Sequence, residues 1–175
     1  MKVNADNVTF TITNTGSVDG AEIAQLYVAK PDAEIFRPAK ELKGFAKVFL
    51  KAGESKTVTI LLDDKAFRYW NVQTNQWEAE GGSYQILIGA SVQDIRLTGQ
   101  IKVQGTGAPD PYAGKKLTHY RTATIQNVPD DEFEALLGHP VPEEKTVIDR
   151  TMTLGELNHS RSPLCWLIAG ALSLL

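Results

Sequence analysis

The side chains of this 175-residue chain that could do acid–base chemistry are grouped at three places. They are Asp63 and Asp64, then Asp130, Asp131, Glu132 and Glu134, and finally Glu143 and Glu144. The first pair follows a predicted strand, the second group lies in the first turn of a predicted helix, and the third lies in a loop next to proline. Acids in such positions are usually solvated or interact with the positive end of the helix dipole. We therefore expect no catalytic carboxylate in this chain.

The histidines and the cysteine do not indicate a metal site or a nucleophile. His119, His139 and His159 are 20 residues apart, whereas zinc ligands normally cluster at short spacings. Cys165 lies in an apolar segment, where burial raises the pKa of a thiol and makes it unreactive. The chain also lacks P-loop, nucleophile-elbow and dinucleotide-binding motifs. We expect no metal and no cofactor.

Composition limits the partners and the compartment. The chain has 18 basic and 21 acidic residues, a formal charge of −3, and no basic patch of the density that nucleic acid binding needs. One cysteine excludes an internal disulfide framework, and residues 1–7 lack the apolar region of a signal peptide. The sequence therefore predicts a cytoplasmic protein that does not bind nucleic acid.

Strands are the elements that must position any site. Val8, Phe10 and Ile12 alternate with threonines, which is the period-2 pattern of a strand with one buried face. Residues 21–30 carry apolar side chains on both faces, as in a central strand of a sandwich. About eight short strands, with turn residues roughly every 8–12 positions, predict an all-β, immunoglobulin- or fibronectin III-like antiparallel sandwich.

A Gly- and Pro-rich segment, residues 104–114, separates this sandwich from a different kind of chain. We place the sandwich in residues 1–105 and a linker with a partly helical extension in residues 106–175. Within the extension, Pro129–Gly138 has the start and stop residues of a short helix, and Thr153–Glu156 has the spacing of a capping box.

The most apolar segment is Leu164–Leu175, whose 12 residues fall short of the roughly 20 needed to cross a bilayer as a helix. We predict no transmembrane span. The segment is predicted to be a helix that packs on protein, because so much apolar surface is rarely left exposed. Its partner could be this sandwich, a second copy of the chain or a domain outside it.

Several segments together resemble one known domain. They are Ile23–Val28 (IAQLYV), Arg37–Phe45 (RPAKELKGF), Leu50–Ser55, the Trp77 segment and Gly82–Ser91. In this order they resemble the fibronectin type III-like domain of family 3 glycoside hydrolases, the bacterial and fungal β-glucosidases. The resemblance covers residues 7–103, and the chain from Tyr120 onward is similar to a tail that some bacterial members carry.

This resemblance implies an accessory module of a β-glucosidase-type enzyme. Such a parent would hydrolyse terminal β-linked glucose or a similar sugar with retention, using two carboxylates about 5–5.5 Å apart and no cofactor. In the family both carboxylates lie outside this domain, so we expect this chain alone to be inactive. We expect its partners to be the catalytic domains of a parent glycosidase, or a second copy through the apolar C-terminal segment. The alternative is a free-standing sandwich that binds carbohydrate or a protein partner.

The resemblance also implies a strand that precedes Val8–Thr13. Met1–Asp6 contains one large apolar side chain besides Met1, that of Val3, and therefore makes a poor strand. We expect an open sheet edge beside Val8–Thr13.

Aromatic residues provide the candidate binding positions. Trp70 and Trp77, with Tyr69, lie on or beside one predicted hairpin and could stack on a sugar ring, although core or domain-interface roles are commoner for such residues. Phe36 and Arg37 lie in the loop between two central strands, and an aromatic residue next to arginine is typical of an interface hot spot. We predict that Phe36, Arg37, Trp70 and Trp77 belong to a domain interface.

Overall fold

The computed structural model describes residues 1–142, 153–157 and 162–172. Glu143, Glu144 and His159 lie outside the described residues. The chain forms two compact units, Met1–Val128 and Pro129–Leu175. The first contains all the strands among the described residues, and the second contains three of the four α-helices described.

Nine antiparallel strands form the first unit. They are β1 (Lys2–Val3), β2 (Asn7–Thr13), β3 (Gly20–Ala29), β4 (Glu41–Leu50), β5 (Ser55–Leu61), β6 (Arg68–Asn71), β7 (Gln76–Ala79), β8 (Gly82–Gly89) and β9 (Ile95–Val103). A three-stranded sheet has the order β1-β2-β5, and a four-stranded sheet has the order β4-β3-β8-β9. Strands β6 and β7 form a separate hairpin. The predicted fibronectin III-like sandwich is confirmed.

The core lies between the two sheets and follows the period-2 pattern of the strands. Val8 and Phe10 of β2 pair with Ile60 and Val58 of β5, and all four are buried. The four-stranded sheet contributes the inward side chains of β3 and β8, among which Leu26 is fully buried. Alternation on two facing sheets is thus sufficient to explain the core.

Strand β3 is apolar on both faces, as its sequence predicts. Leu26 faces the core, whereas Tyr27 and Ala29 join Leu87 in a second buried cluster on the other face of the sheet. A bulge between Leu26 and Tyr27 shifts the pairing with β4. Gly44 lies at this shift, where a Cβ atom would come within 2.6 Å of Ile60 Cγ2. Only glycine fits this approach of the two sheets without a displacement.

The N-terminal edge differs in part from its prediction. Residues Lys2 and Val3 form β1 and pair with Thr9 and Val8 of β2, so this part of the edge is covered. Val3 also packs against the core. The two-residue strand ends there, and residues 11–13 of β2 pair only with β5. The expected open edge is therefore limited to the second half of β2.

Residues 106–128 pack on the sandwich, so the division of the structure falls later than the predicted boundary after Gly105. Asn71 is fully buried, and its Nδ2 donates a hydrogen bond to the carbonyl oxygen of Pro109 at 2.9 Å. Leu117 is also buried, just before the one-turn helix α1 (Thr118–Arg121). A short 3₁₀ turn, Ile125–Asn127, ends the unit. These contacts make the Gly- and Pro-rich segment part of the first unit.

The second unit contains helices α2 (Asp130–Leu137), α3 (Leu154–Leu157) and α4 (Pro163–Leu172). Gly138 ends α2 in the left-handed conformation with φ of 86°, as predicted from its type. The predicted capping box is present, because Glu156 N donates to Thr153 Oγ1 and Thr153 N donates to Glu156 Oε2. No helix in the described parts of the chain is long and apolar enough to span a membrane.

Candidate interaction surfaces

The loop between β3 and β4 turns its aromatic residue toward its own unit. The ring centroid of Phe36 lies 4.4 Å from that of Tyr112 and 6.2 Å from that of Tyr120. The guanidinium carbon of Arg121 lies 5.5 Å from the Phe36 centroid. Phe36 therefore fixes the segment after the sandwich to the loop.

Arg37 is held by two partners inside the unit. Its Nη2 and Nε lie 3.0 and 3.1 Å from Glu41 Oε1, and its side chain is only 6% exposed. Nη1 donates to the hydroxyl of Tyr84 at 3.1 Å, and that hydroxyl donates to the carbonyl oxygen of Glu80 at 2.8 Å. Burial raises the pKa of Tyr84, and the charge of Arg37 opposes that effect. The arginine links the loop to the core strand β8.

A second buried cation, Lys30, lies near the same tyrosine, and we call Lys30, Arg37 and Tyr84 the internal joint. The side chain of Lys30 is 3% exposed. Its Nζ lies 3.1 Å from Asp32 Oδ1 and 3.7 Å from Glu80 Oε1. The hydrogen bond and charge of Lys30 lower the pKa of Asp32. Lys30 Nζ and the guanidinium carbon of Arg37 lie 5.6 and 5.5 Å from the Tyr84 ring centroid. The loop is thus anchored by the ion pairs of two buried cations, which lie near the ring of one tyrosine.

Trp70 and Trp77 face each other across the β6–β7 hairpin. They form a cross-strand pair whose ring centroids are 5.7 Å apart at 75°, and they are 48% and 41% exposed. Lys65 Nζ lies 5.0 Å from the Trp77 centroid. Because the rings are nearly perpendicular, they do not form one flat platform for a sugar ring. Tyr69 is half-buried and its hydroxyl accepts a hydrogen bond from Asn71 Nδ2 at 3.4 Å.

The acidic groups among the described residues lie in a turn after a strand and in the first turn of a helix. Asp63 Oδ1 accepts a hydrogen bond from the backbone N–H of Lys65 at 2.9 Å in the turn after β5. Asp130, Asp131 and Glu132 lie in the first turn of α2, as predicted. Among residues 1–142, 153–157 and 162–172, no group of three or more His, Cys, Asp or Glu side chains could hold a metal ion.

One exposed surface was not identified from the sequence. Leu42, Phe45 and Phe49 are 53%, 67% and 56% exposed and pair with Tyr27, Gln25 and Ala21 of β3. Ile23, which is 42% exposed, lies on the same side. We call Ile23, Leu42, Phe45 and Phe49 the apolar sheet face. The alternation of Phe45, Lys47 and Phe49 was the available signal, but it does not show which side of the strand faces the core.

One domain family matches the central part of the first unit. The family of fibronectin type III-like domains matches residues 22–92. This range runs from within β3 to just beyond the end of β8 and includes the anchored loop and the apolar sheet face. Residues 22–92 of the first unit therefore correspond to a fibronectin type III-like domain.

Curated relatives specify the proteins in which this domain occurs. The chain is 51% identical over 108 residues to exo-α-(1→6)-L-arabinopyranosidase of Bifidobacterium breve, which covers 62% of this chain and 14% of the relative. It is 49% identical over 140 residues to thermostable β-glucosidase B of Acetivibrio thermocellus, covering 80% of this chain and 18% of the relative.

A solved structure matches over most of the chain. The GH3 β-glucosidase of Bifidobacterium adolescentis has a TM-score of 0.56 and 34% identity, covering 93% of this chain and 18% of that protein. Residues 22–92 thus match fibronectin type III-like domains, and the chain is similar to segments of glycosidases that include a GH3 β-glucosidase. It spans less than a fifth of the length of the relatives described here.

Proposed function

We propose that this chain is an accessory module of a β-glucosidase-type enzyme and that it supports the catalytic domains of that enzyme. The observation that carries the proposal is the match, at 49–51% identity, to segments that make up 14–18% of two glycosidases. A segment of that size within a larger enzyme is expected to depend on the other domains for chemistry and to contribute contacts to them.

The structure suggests how such a module would act. Contacts of Lys30 with Glu80 and of Arg37 with Tyr84 fix the loop between β3 and β4 to the sandwich. A rigid support can keep neighbouring catalytic residues in place, because small displacements of reacting groups are costly in rate. The two carboxylates of a retaining hydrolysis would come from the other domains of the parent.

A chimera tests this function directly. In thermostable β-glucosidase B, the segment that aligns with this chain is replaced by this chain, and a second variant lacks the segment altogether. We expect the chimera to fold and to hydrolyse an aryl β-glucoside, and we expect the deletion variant to lose both stability and activity. A deletion variant with the activity and thermal midpoint of the intact enzyme would show that the segment gives no support.

The isolated chain provides the complementary measurement. We expect no turnover of an aryl β-glucoside by the purified chain, at enzyme concentrations far above those at which β-glucosidase B is assayed. Turnover that follows the chain through purification and disappears in an Asp63→Asn or Asp130→Asn variant would contradict the accessory role. Saturable binding of glucose or cellobiose by the isolated chain, lost in Trp77→Ala, would instead favour a carbohydrate-binding module.

A further inference from the structure

We propose that the apolar sheet face is the surface on which the remainder of the parent polypeptide docks. This inference rests on the proposed function and assigns it to Ile23, Leu42, Phe45 and Phe49. The partner surface is expected to be apolar, with a carboxylate or a carbonyl oxygen opposite Lys47, the exposed cation that lies between Phe45 and Phe49 along β4.

The first argument is the contrast between the two outer faces of the sandwich. On the outer face of the three-stranded sheet, Thr9 Oγ1 and Thr59 Oγ1 are 2.9 Å apart, and Thr13 Oγ1 and Ser55 Oγ are 2.8 Å apart. These hydroxyl pairs suit a surface in contact with water. A sandwich normally presents polar residues outward on both sheets, so an apolar outer face on one sheet marks an interaction surface.

The second argument is continuity with a buried cluster. Tyr27 and Leu87, on the same face of the four-stranded sheet, are 6% and 5% exposed, and Ile95 packs against them. Leu42 pairs directly with Tyr27 across the strands, so the exposed residues extend this cluster toward the β4 edge. The apolar sheet face is the uncovered part of a larger apolar layer.

The third argument concerns the occupant. Between 82% and 86% of the length of two glycosidases lies outside the segment that matches this chain, so a large protein surface is tethered to the domain in such parents. A tethered partner needs little intrinsic affinity, because the linkage keeps its effective concentration high. The remainder of the parent chain is therefore favoured over a separate protein. Phe36 and Arg37 contact their own unit, whereas each residue of the apolar sheet face is at least 42% exposed.

Cysteine labelling in two contexts tests the surface. In a Cys165→Ser background, Phe45→Cys is made both in the isolated chain and in the chimera with β-glucosidase B. Leu61→Cys is the matched control, because Leu61 is 74% exposed on the outer face of the other sheet. Maleimide labelling at each position is followed by peptide mass spectrometry.

We expect position 45 to react at least about tenfold more slowly in the chimera than in the isolated chain, with position 61 reacting at similar rates in both. Equal rates at position 45 in an active, folded chimera would overturn the surface assignment while leaving the proposed function intact. A chimera that does not fold would count against the proposed function itself. An isolated chain that sediments as a dimer, and becomes a monomer on Phe45→Ser, would identify a second copy as the occupant and overturn the proposal.

Discussion

Two aromatic regions of the sandwich are similar in composition, but one is covered by protein and the other is exposed. They are the loop around Phe36 and the apolar sheet face around Phe45. Phe36 lies 4.4 Å from Tyr112 and is covered by its own unit, whereas Phe45 is 67% exposed. Each has cations nearby along the chain, but Arg37 is buried in an ion pair and Lys47 is exposed. An aromatic residue beside a cation therefore does not by itself distinguish an internal joint from an external surface.

The comparison also shows what decides between the two. The partners of the loop, Tyr84 and Tyr112, lie 47 and 76 positions away in the sequence, and only the fold brings them to it. The side chain of Phe45 points outward because it pairs with Gln25 on the outer face of β3, and the bulge at Leu26 and Tyr27 brings Leu42 to the same face. Burial in one region and exposure in the other are thus consequences of strand pairing.

The largest effect should come from breaking the ion pair of the loop. We expect Arg37→Met to lower the free energy of unfolding of the isolated chain by about 3 kcal/mol, because it removes the charged hydrogen bonds from Arg37 to Glu41 and to the Tyr84 hydroxyl. Glu41 keeps its contact with Lys43, and the Tyr84 hydroxyl keeps its bond to the carbonyl oxygen of Glu80. Lys47→Met is the matched control and should change it by less than about 0.5 kcal/mol. Urea unfolding followed by tryptophan fluorescence measures both variants. Equal effects would remove the distinction between the two regions.

The same substitution at the two phenylalanines sharpens the comparison. Phe36→Thr should destabilise the isolated chain by about 2 kcal/mol, since it removes the contacts with Tyr112 and Tyr120. Phe45→Thr should be within about 0.5 kcal/mol of the wild type, because the ring is exposed and threonine suits a strand. A cost at Phe45 equal to that at Phe36 would mean that the apolar sheet face is already covered in the isolated chain.

The strands and the core could be predicted from the sequence because both follow from the period-2 pattern. The alternation around Val8 and Phe10 and the two apolar faces of β3 are local properties of the chain. The packing of residues 106–128 could not be predicted, because a Gly- and Pro-rich segment reads as a linker unless the buried Asn71 that bonds to Pro109 is known. The short strand β1 was missed because two residues carry no periodic signal.

The candidate surfaces were predicted less well than the fold. Residue type identified Phe36, Arg37, Trp70 and Trp77 as interface positions, and the structure leaves the two tryptophans about half exposed. For these tryptophans, participation in an interface stays a prediction. The apolar sheet face was missed because β4 carries large apolar residues at both odd and even positions. Its direction depends on the pairing with β3, and the sequence does not reveal the bulge that brings Leu42 to the same face as Phe45 and Phe49.

The smallest expected effect is a change in the free energy of unfolding at alkaline pH, and it depends on Tyr84 in the internal joint. Burial raises the pKa of Tyr84 above its usual value, and burial also raises the pKa of Tyr69 and Tyr112. When the pKa of a group is raised in the folded state, its contribution to the free energy of unfolding is complete below the pKa of the unfolded state, about pH 10. That contribution is lost as the pH rises through the pKa of the folded state. The reason is that the unfolded chain releases its proton first, so the free energy of unfolding falls with pH.

We expect Tyr84→Phe to lower stability at neutral pH by about 1–2 kcal/mol, through the lost hydrogen bonds to Arg37 and Glu80. Above about pH 10 the stability of the variant should fall less steeply than that of the wild type, although Tyr69 and Tyr112 preserve part of the dependence. Urea unfolding between pH 8 and about pH 11 measures both slopes, and Phe45→Thr is the control from the exposed region. Identical slopes for wild type and Tyr84→Phe would show that this hydroxyl is not protected by burial. Because Tyr84 is buried within its own unit, its effect on the pH dependence should be present in the isolated chain. Phe45→Thr removes no titratable group and should leave the slope unchanged.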